Sequence, residues 1–178
     1  MAKKIFPLSK VYRLLESGPV IMLTTARRGK QNVMPMSWHT MMEFEPPLVG
    51  FVMSDLNDSF GILKATKECV INIPTIKIAP KVVACGKLHG AKINKLEKFG
   101  LTPKPAALIA APLIDECYAN FECRVVDTKM VAKYGFFVVE VVKAWIDTAV
   151  KNPQTIHHLG GKDFMVAGRR IRIKSGTK

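Results

Sequence analysis

Asn32-Val-Met-Pro-Met-Ser-Trp-His-Thr40, followed by Glu45-Pro-Pro-Leu-Val-Gly-Phe51, is the stretch on which the reading of this chain turns. Trp38 stands among hydrogen-bonding side chains: Asn32, Ser37, His39 and Thr40. Met34, Met36 and Met41 flank them. Methionine is polarisable, adapts its shape and packs well on aromatic rings. Pro35 is compatible with an edge or irregular strand, not with a regular central one. Such a segment suits a large flat ligand with apolar faces and a polar rim. It also suits a core tryptophan beside a turn. Pro46 and Pro47 stop one element, and Leu48–Met53 opens a buried strand.

Outward from this stretch, the N-terminal side reads as a hairpin. Ser9–Ser17 has the pattern of a short amphipathic helix, with Ser9 as cap and Val11, Leu14 and Leu15 on one face. Gly18-Pro19 ends it. Val20–Thr25 is apolar and β-branched, a strand. Arg27–Lys30 is the turn, with Gly29 free to take positive φ. Residues 20–38 therefore form an antiparallel hairpin.

On the C-terminal side, Asn57, Asp58 and Ser59 are turn and cap types before a short helix over Phe60–Thr66. The free N–H groups at a helix start make an anion site. Glu68–Ile73 alternates weakly and reads as a strand buried on both faces. Asn72 inside it must find partners, with the neighbouring backbone preferred over a ligand. Thr75–Gly86 is helical, with Pro80 near its middle or dividing two pieces. Pro103, Pro105 and Pro112 mark a loop. Cys117–Val126 and Phe136–Val142 read as antiparallel partner strands.

The order of these residues resembles the flavin reductase-like family, most closely its flavoredoxins and archaeal-type ferric reductases. The shared features are Asn32 with the polar cluster and Trp38, then Pro46-Pro47-Leu48-Val49, the strand ending Asn72-Ile-Pro74, Lys95 ahead of Gly100-Leu-Thr-Pro103, and Glu122-Cys123. The resemblance runs from about Val20 to Ile146. It implies a mainly β fold, the FMN-binding split barrel: an antiparallel Greek-key barrel with short flanking helices. One domain over 1–178 is expected, with its core at about 20–146 and a C-terminal extension over 147–178. The implied cofactor is FMN, held against Asn32, Val33, Met34, Met36, Ser37, Trp38 and Thr40, partly through backbone groups.

More distant residues complete the implied site. Ser59 falls where the family holds the FMN phosphate, although Asn57-Asp58 replaces a preceding Arg; a plain helix cap is the alternative. Lys95 falls where a lysine approaches the electron-rich edge of the flavin, with Asn94 replacing an Asp; a solvated helix lysine is the alternative. Tyr134 takes the place of an aromatic or His beside the cofactor. Phe164 matches an aromatic that covers the flavin from a partner subunit of a homodimer, or else lies in the core. The implied function is NAD(P)H-dependent reduction of free flavin or iron. An FMN-bearing electron carrier served by redox proteins is one alternative, and a basic barrel that binds nucleic acid without flavin is the other.

Composition bounds these readings. The chain has 178 residues, close to half of them apolar, which describes a globular protein. No run approaches a membrane span of roughly 18 apolar residues. The N-terminus lacks a signal peptide's pattern, so a cytoplasmic location is expected. Twenty-seven Lys and Arg against 14 Asp and Glu give a net charge of +13, which favours anionic partners. The basic tail Gly168–Lys174 reads as a charged edge strand in preference to an RNA-binding segment. Cys69, Cys85, Cys117 and Cys123 have no metal or CxxC spacing and read as buried thiols. No Ser/His/Asp triad is present. No Gly-x-Gly-x-x-Gly occurs either, so a nicotinamide would have to stack on the flavin itself, with Lys87, Lys92 and Lys95 drawing in its phosphates.

Overall fold

The structure, a computed structural model, describes residues 18–90, 93–169 and 171–173. The helix expected over Ser9–Ser17 lies outside these residues, as do Lys92, Arg170 and Lys174.

The chain begins as the expected hairpin. β1 (Ile21–Arg27) and β2 (Lys30–Met36) pair antiparallel from Ile21↔Met36 to Arg27↔Lys30. The turn needs two left-handed residues, and Arg28 (φ 51°) and Gly29 (φ 74°) provide them. β3 (His39–Phe44), β4 (Pro47–Val52), α1 (Asp58–Thr66) and β5 (Glu68–Ile73) follow. Between Thr75 and Gly86 there are two pieces, a 3-10 turn over Ile76–Ile78 and α2 (Ala79–Gly86), with Pro80 in the first turn of α2, where its missing N–H does no harm. Then come α3 (Lys95–Lys98), β6 (Pro103–Lys104), β7 (Leu113–Ile114), β8 (Ala119–Asp127), α4 (Val131–Tyr134) and β9 (Phe136–Ile146). Two short strands, β10 (Ile156–His158) and β11 (Phe164–Val166), pair with each other.

Seven strands form one antiparallel sheet in the order β2-β1-β5-β8-β9-β4-β3. β2 and β3 stand at opposite ends of that order, yet only Ser37 and Trp38 separate them in sequence. Three Cα steps span at most about 11 Å. The two edges must therefore meet, and the sheet curls into a barrel that remains unpaired between β2 and β3. This seam also explains Pro35: it lies on an edge strand, where a lost N–H breaks no ladder.

The barrel interior is filled by Ile21, Leu23, Met36, Val49, Phe51, Leu63, Cys69, Ile71, Cys123, Phe137 and Val139 among others. Phe51 and Phe137 stack with centroids 5.9 Å apart, and Phe60 meets Phe137 edge-on at 5.4 Å. A second apolar cluster lies outside the wall, where Val20, Met22 and Val33 pack under α2, α3, β7 and β10. β1 is thus buried on both faces, which is why Val20–Leu23 is an unbroken apolar run. β5 is likewise buried on both faces, with Cys69 and Ile71 inside the barrel and Val70 outside.

Asn72 satisfies itself within the protein. Its Nδ2 donates to Met22 O (2.9 Å), Thr24 Oγ1 (3.2 Å) and Val70 O (3.3 Å), and its Oδ1 accepts from Ile114 N (2.9 Å) and Asn120 Nδ2 (2.8 Å). All four cysteines are free and buried. Among the described residues no group of His, Cys, Asp and Glu is placed to hold a metal, and no helix is long and apolar enough to cross a membrane. The tail differs from expectation: Gly168, Arg169 and Ile171–Ile173 form no strand, and Ile171 and Ile173 face solvent.

Candidate functional site

Two recesses open on either side of the first turn of α1. The smaller, about 190 Å³, is polar and is lined by Asn32, Met34, Pro35, Asn57, Asp58, Ser59, Lys95 and the Cys85–His89 segment. The larger, about 610 Å³, lies between Trp38, Ser54, Phe60, Lys64 and Tyr134. Asn57–Ser59 face the first and Phe60 the second, so one short stretch of chain separates them.

The small recess is built from buried polar groups. Asn32 is 5% exposed and its Nδ2 donates to Ser59 Oγ at 2.9 Å. Thr25 Oγ1 also reaches Ser59 Oγ, at 3.3 Å. Ser59 is therefore the second residue of α1 and not its cap. Asn57 holds the cap position without a side-chain hydrogen bond. Asn32 Oδ1 is left over. Among the described residues it is the buried side-chain polar atom with no hydrogen-bond partner. Such an orphan in a cleft points to a ligand that donates to it.

Lys95 supplies the charge. Asn94 caps α3, its side chain accepting from Glu97 N at 3.4 Å, and this sends Lys95 inward. At 5% exposure it is no solvated helix lysine. Its Nζ donates to Val33 O (3.1 Å) and to Cys85 O (3.0 Å) at the C-terminal end of α2, where the helix dipole favours a cation. Burial pulls this ammonium below the ordinary lysine range, and Cys85 and Asp58 offset part of the drop. Burial also pushes the Cys85 thiol up to about 11, against the opposing pull of the Lys95 charge.

The larger recess carries the aromatic residues. Trp38 is 54% exposed, so it is not a core residue, and Tyr134 is 57% exposed. Tyr134 ends α4, and Gly135 follows in the left-handed region (φ 63°), where a Cβ would collide with Met53 O. Only a glycine fits that approach. It brings the α4–β9 corner against the end of β4, where Met53 N donates to Gly135 O at 2.9 Å.

The other expected residues are distributed as follows. Val33 and Met36 turn their side chains into the two cores, so only their backbone is available to a ligand. Met34 lines the small recess and packs on the barrel interior. Ser37 is half-buried in the β2–β3 seam, its carbonyl accepting from His39 N. Thr40 is exposed on β3, its hydroxyl bonded to the neighbouring Met41 O. Phe164 packs within its own chain, on the outer cluster and 5.1 Å from the His158 ring. One contact at the small recess, the Gly90 N–H donating to the Asp58 carboxylate, was not legible in sequence, because it joins residues 32 positions apart with no local signal.

The family "Flavin reductase like domain" matches residues 13–164. The chain belongs to this family. An uncharacterized protein of Archaeoglobus fulgidus is 33% identical over 142 residues, covering 76% of this chain and 80% of that protein. Escherichia coli YddH is 28% identical, covering 89% and 92%. Among solved structures, an FMN-binding domain of a flavin reductases-like enzyme from Shewanella baltica superposes with a TM-score of 0.84 at 26% identity, covering 95% of this chain and 96% of that one. Flavoredoxin of Desulfovibrio vulgaris superposes at 0.86 with 16% identity, covering 99% and 98%, a likeness of fold. The barrel open between β2 and β3 is thus the split barrel expected from the sequence.

Proposed function

We propose that this chain is an FMN-binding oxidoreductase that takes electrons from NADH or NADPH and passes them to free flavin, iron or a redox protein. The observation that carries this is the unpartnered Asn32 Oδ1 beside Ser59 and Lys95. FMN has an anion for Lys95 and the α1 start, hydroxyl and N–H donors for Asn32, and a ring for the neighbouring aromatic recess. The donor set therefore fits it. Ser59, Lys95 and Asn32 would hold the polar end, while Trp38 and Tyr134 would border the ring, with Lys64 and Lys133 at the same mouth. When bound, FMN supplies reversible two-electron chemistry, and the chain binds, orients and shields it.

Titrating the apo protein with FMN while following flavin fluorescence tests the reading. Quenching at micromolar concentration is expected, and its absence would return the cationic barrel to other anions, nucleic acid included. Anaerobic mixing of the loaded protein with NADH or NADPH then separates enzyme from carrier. Bleaching of the oxidised band within seconds supports the enzyme. The +13 charge favours an acidic protein donor as a second reading, and bleaching by dithionite alone would support that one.

A homodimer is part of the proposal. β3 is an edge strand, and it exposes Met41, Met42 and Phe44, the last at 91%. Uncovered apolar edges are rare in monomers. Light scattering at low micromolar concentration should give twice the chain mass, and Phe44→Glu should return it to the single-chain value. A wild-type monomer that holds FMN would sink this part of the proposal.

A further inference from the structure

Asp58 is out of place by charge alone. It stands one residue before Ser59 and lines the recess that also holds Lys95. A carboxylate there repels an anionic ligand, so some other contact must account for its position. Its Oδ2 accepts from the backbone N–H of Gly90 at 2.5 Å, and the exposed His89 ring lies 3.9 Å from the same oxygen. The Asp58 side chain is 26% exposed, so this charge-assisted bond is sheltered.

Gly90 matters in its own right. A Cβ there would collide with Asn32 Oδ1 and Cγ. The segment Lys87–His89 just before it forms one wall of the recess. That segment is anchored at its start by Lys87 N donating to Ala84 O (3.2 Å), the last bond of α2, and at its end by Asp58. Between the two anchors it is short and irregular.

We infer that Asp58 is a positioning residue: its carboxylate latches Gly90 to α1 and so holds the Lys87–His89 wall over the recess and over Asn32. This rests on the cofactor reading above only for what the wall encloses. The latch retains the polar end of the bound molecule and sets its rate of release. The local repulsion from Asp58 is offset by Lys95, which lines the same recess.

The test compares Asp58→Ala, which removes the acceptor, with Asp58→Asn, which keeps an amide oxygen in its place. Two readouts are taken. The first is hydrogen exchange of the Lys87–Gly90 amides in the apo protein, with the β1 and β5 amides as the control for folding. The second is the rate of FMN release from the loaded protein. Asp58→Ala should speed both by about tenfold, the scale of one charge-assisted bond, while Asp58→Asn stays within about threefold of wild type. Unchanged exchange at Gly90 in Asp58→Ala would overturn the latch. FMN held more tightly in both variants would overturn it as well, because the carboxylate would then act only by repulsion. Faster Gly90 exchange in a protein whose wild type takes up no FMN would sustain the latch and overturn the cofactor reading instead.

Discussion

Replacing Lys95 by methionine is expected to weaken FMN binding by about ten- to a hundredfold, because a charge-assisted hydrogen bond is worth roughly 1.5–3 kcal/mol. Methionine retains an unbranched apolar stem of similar length. The stability of the apo protein should change much less, because two effects oppose each other. Val33 O and Cys85 O lose a donor, which destabilises. A buried cation without a hydrogen-bonded carboxylate is removed, which stabilises. The pH dependence follows from the sign of the Lys95 shift. Burial lowers its folded pKa, so the unfolded chain binds the proton more tightly. Apo stability therefore rises with pH through the window between the folded value and the ordinary lysine value. FMN affinity should fall in the same window as the cation is lost, and Lys95→Met should show neither trend. Equal FMN affinity in a folded Lys95→Met protein would remove Lys95 from the site.

How much of this was legible in the sequence differs from residue to residue. The hairpin was legible, because the apolar, β-branched Val20–Thr25 and the Arg27–Lys30 turn with its Gly29 are local signals. Asn72 was legible as a residue that must find partners, with the backbone preferred over a ligand, because an amide amid Val70, Ile71 and Ile73 is costly unpaired. The side chains of Thr24 and Asn120 join the backbone partners. Lys95 was visible only through the resemblance. Its burial depends on three segments, β2, the end of α2 and α3, that no periodicity connects. Trp38 shows the reverse: its neighbours Met36 and Ser37 also suited a core turn, and only the unpaired seam between β2 and β3 leaves the indole at the surface. Val33 and Met36 belonged to the same motif as Asn32, yet the double burial of the wall takes their side chains into two different cores. A motif names a stretch of backbone, and the pleat decides which of its side chains can touch a ligand.

Glu122 entered the sequence reading only as half of the Glu122-Cys123 pair, with no role of its own, and its replacement by alanine is expected to cost the sheet stability. It lies on β8 with no solvent exposure, on the face away from the barrel interior. Its Oε1 accepts from Ala107 N (3.0 Å) and Trp145 Nε1 (2.8 Å), and its Oε2 from Leu108 N (2.7 Å). One carboxylate thus fastens the proline-marked loop between β6 and β7 to β8 and to β9. Arg124 adds a bond to Leu108 O (3.1 Å) and Glu68 one to Ala110 N (3.1 Å) at the rim. Removing the carboxylate takes the acceptor from three part-buried donors on surface residues, at up to about 1–3 kcal/mol for each one that water does not reach. A loss of about 2–3 kcal/mol in chemical denaturation is expected for Glu122→Ala, and a smaller one for Glu122→Gln, which keeps one acceptor oxygen. Burial alone pushes this carboxyl up, but the Ala107 N–H, the Trp145 indole N–H, the Leu108 N–H and the Lys143 charge outweigh it and leave the pKa below the usual glutamate value. The unfolded chain therefore binds the proton more tightly. The stability that Glu122 provides is fully present above the ordinary glutamate pKa and is lost as pH falls through its lower folded value. Glu122→Gln should flatten that part of the acid stability profile while leaving the Lys95 window at high pH unchanged. If the alanine variant unfolds at the same denaturant concentration as wild type, the loop is held by its prolines and apolar contacts, and the carboxylate is incidental.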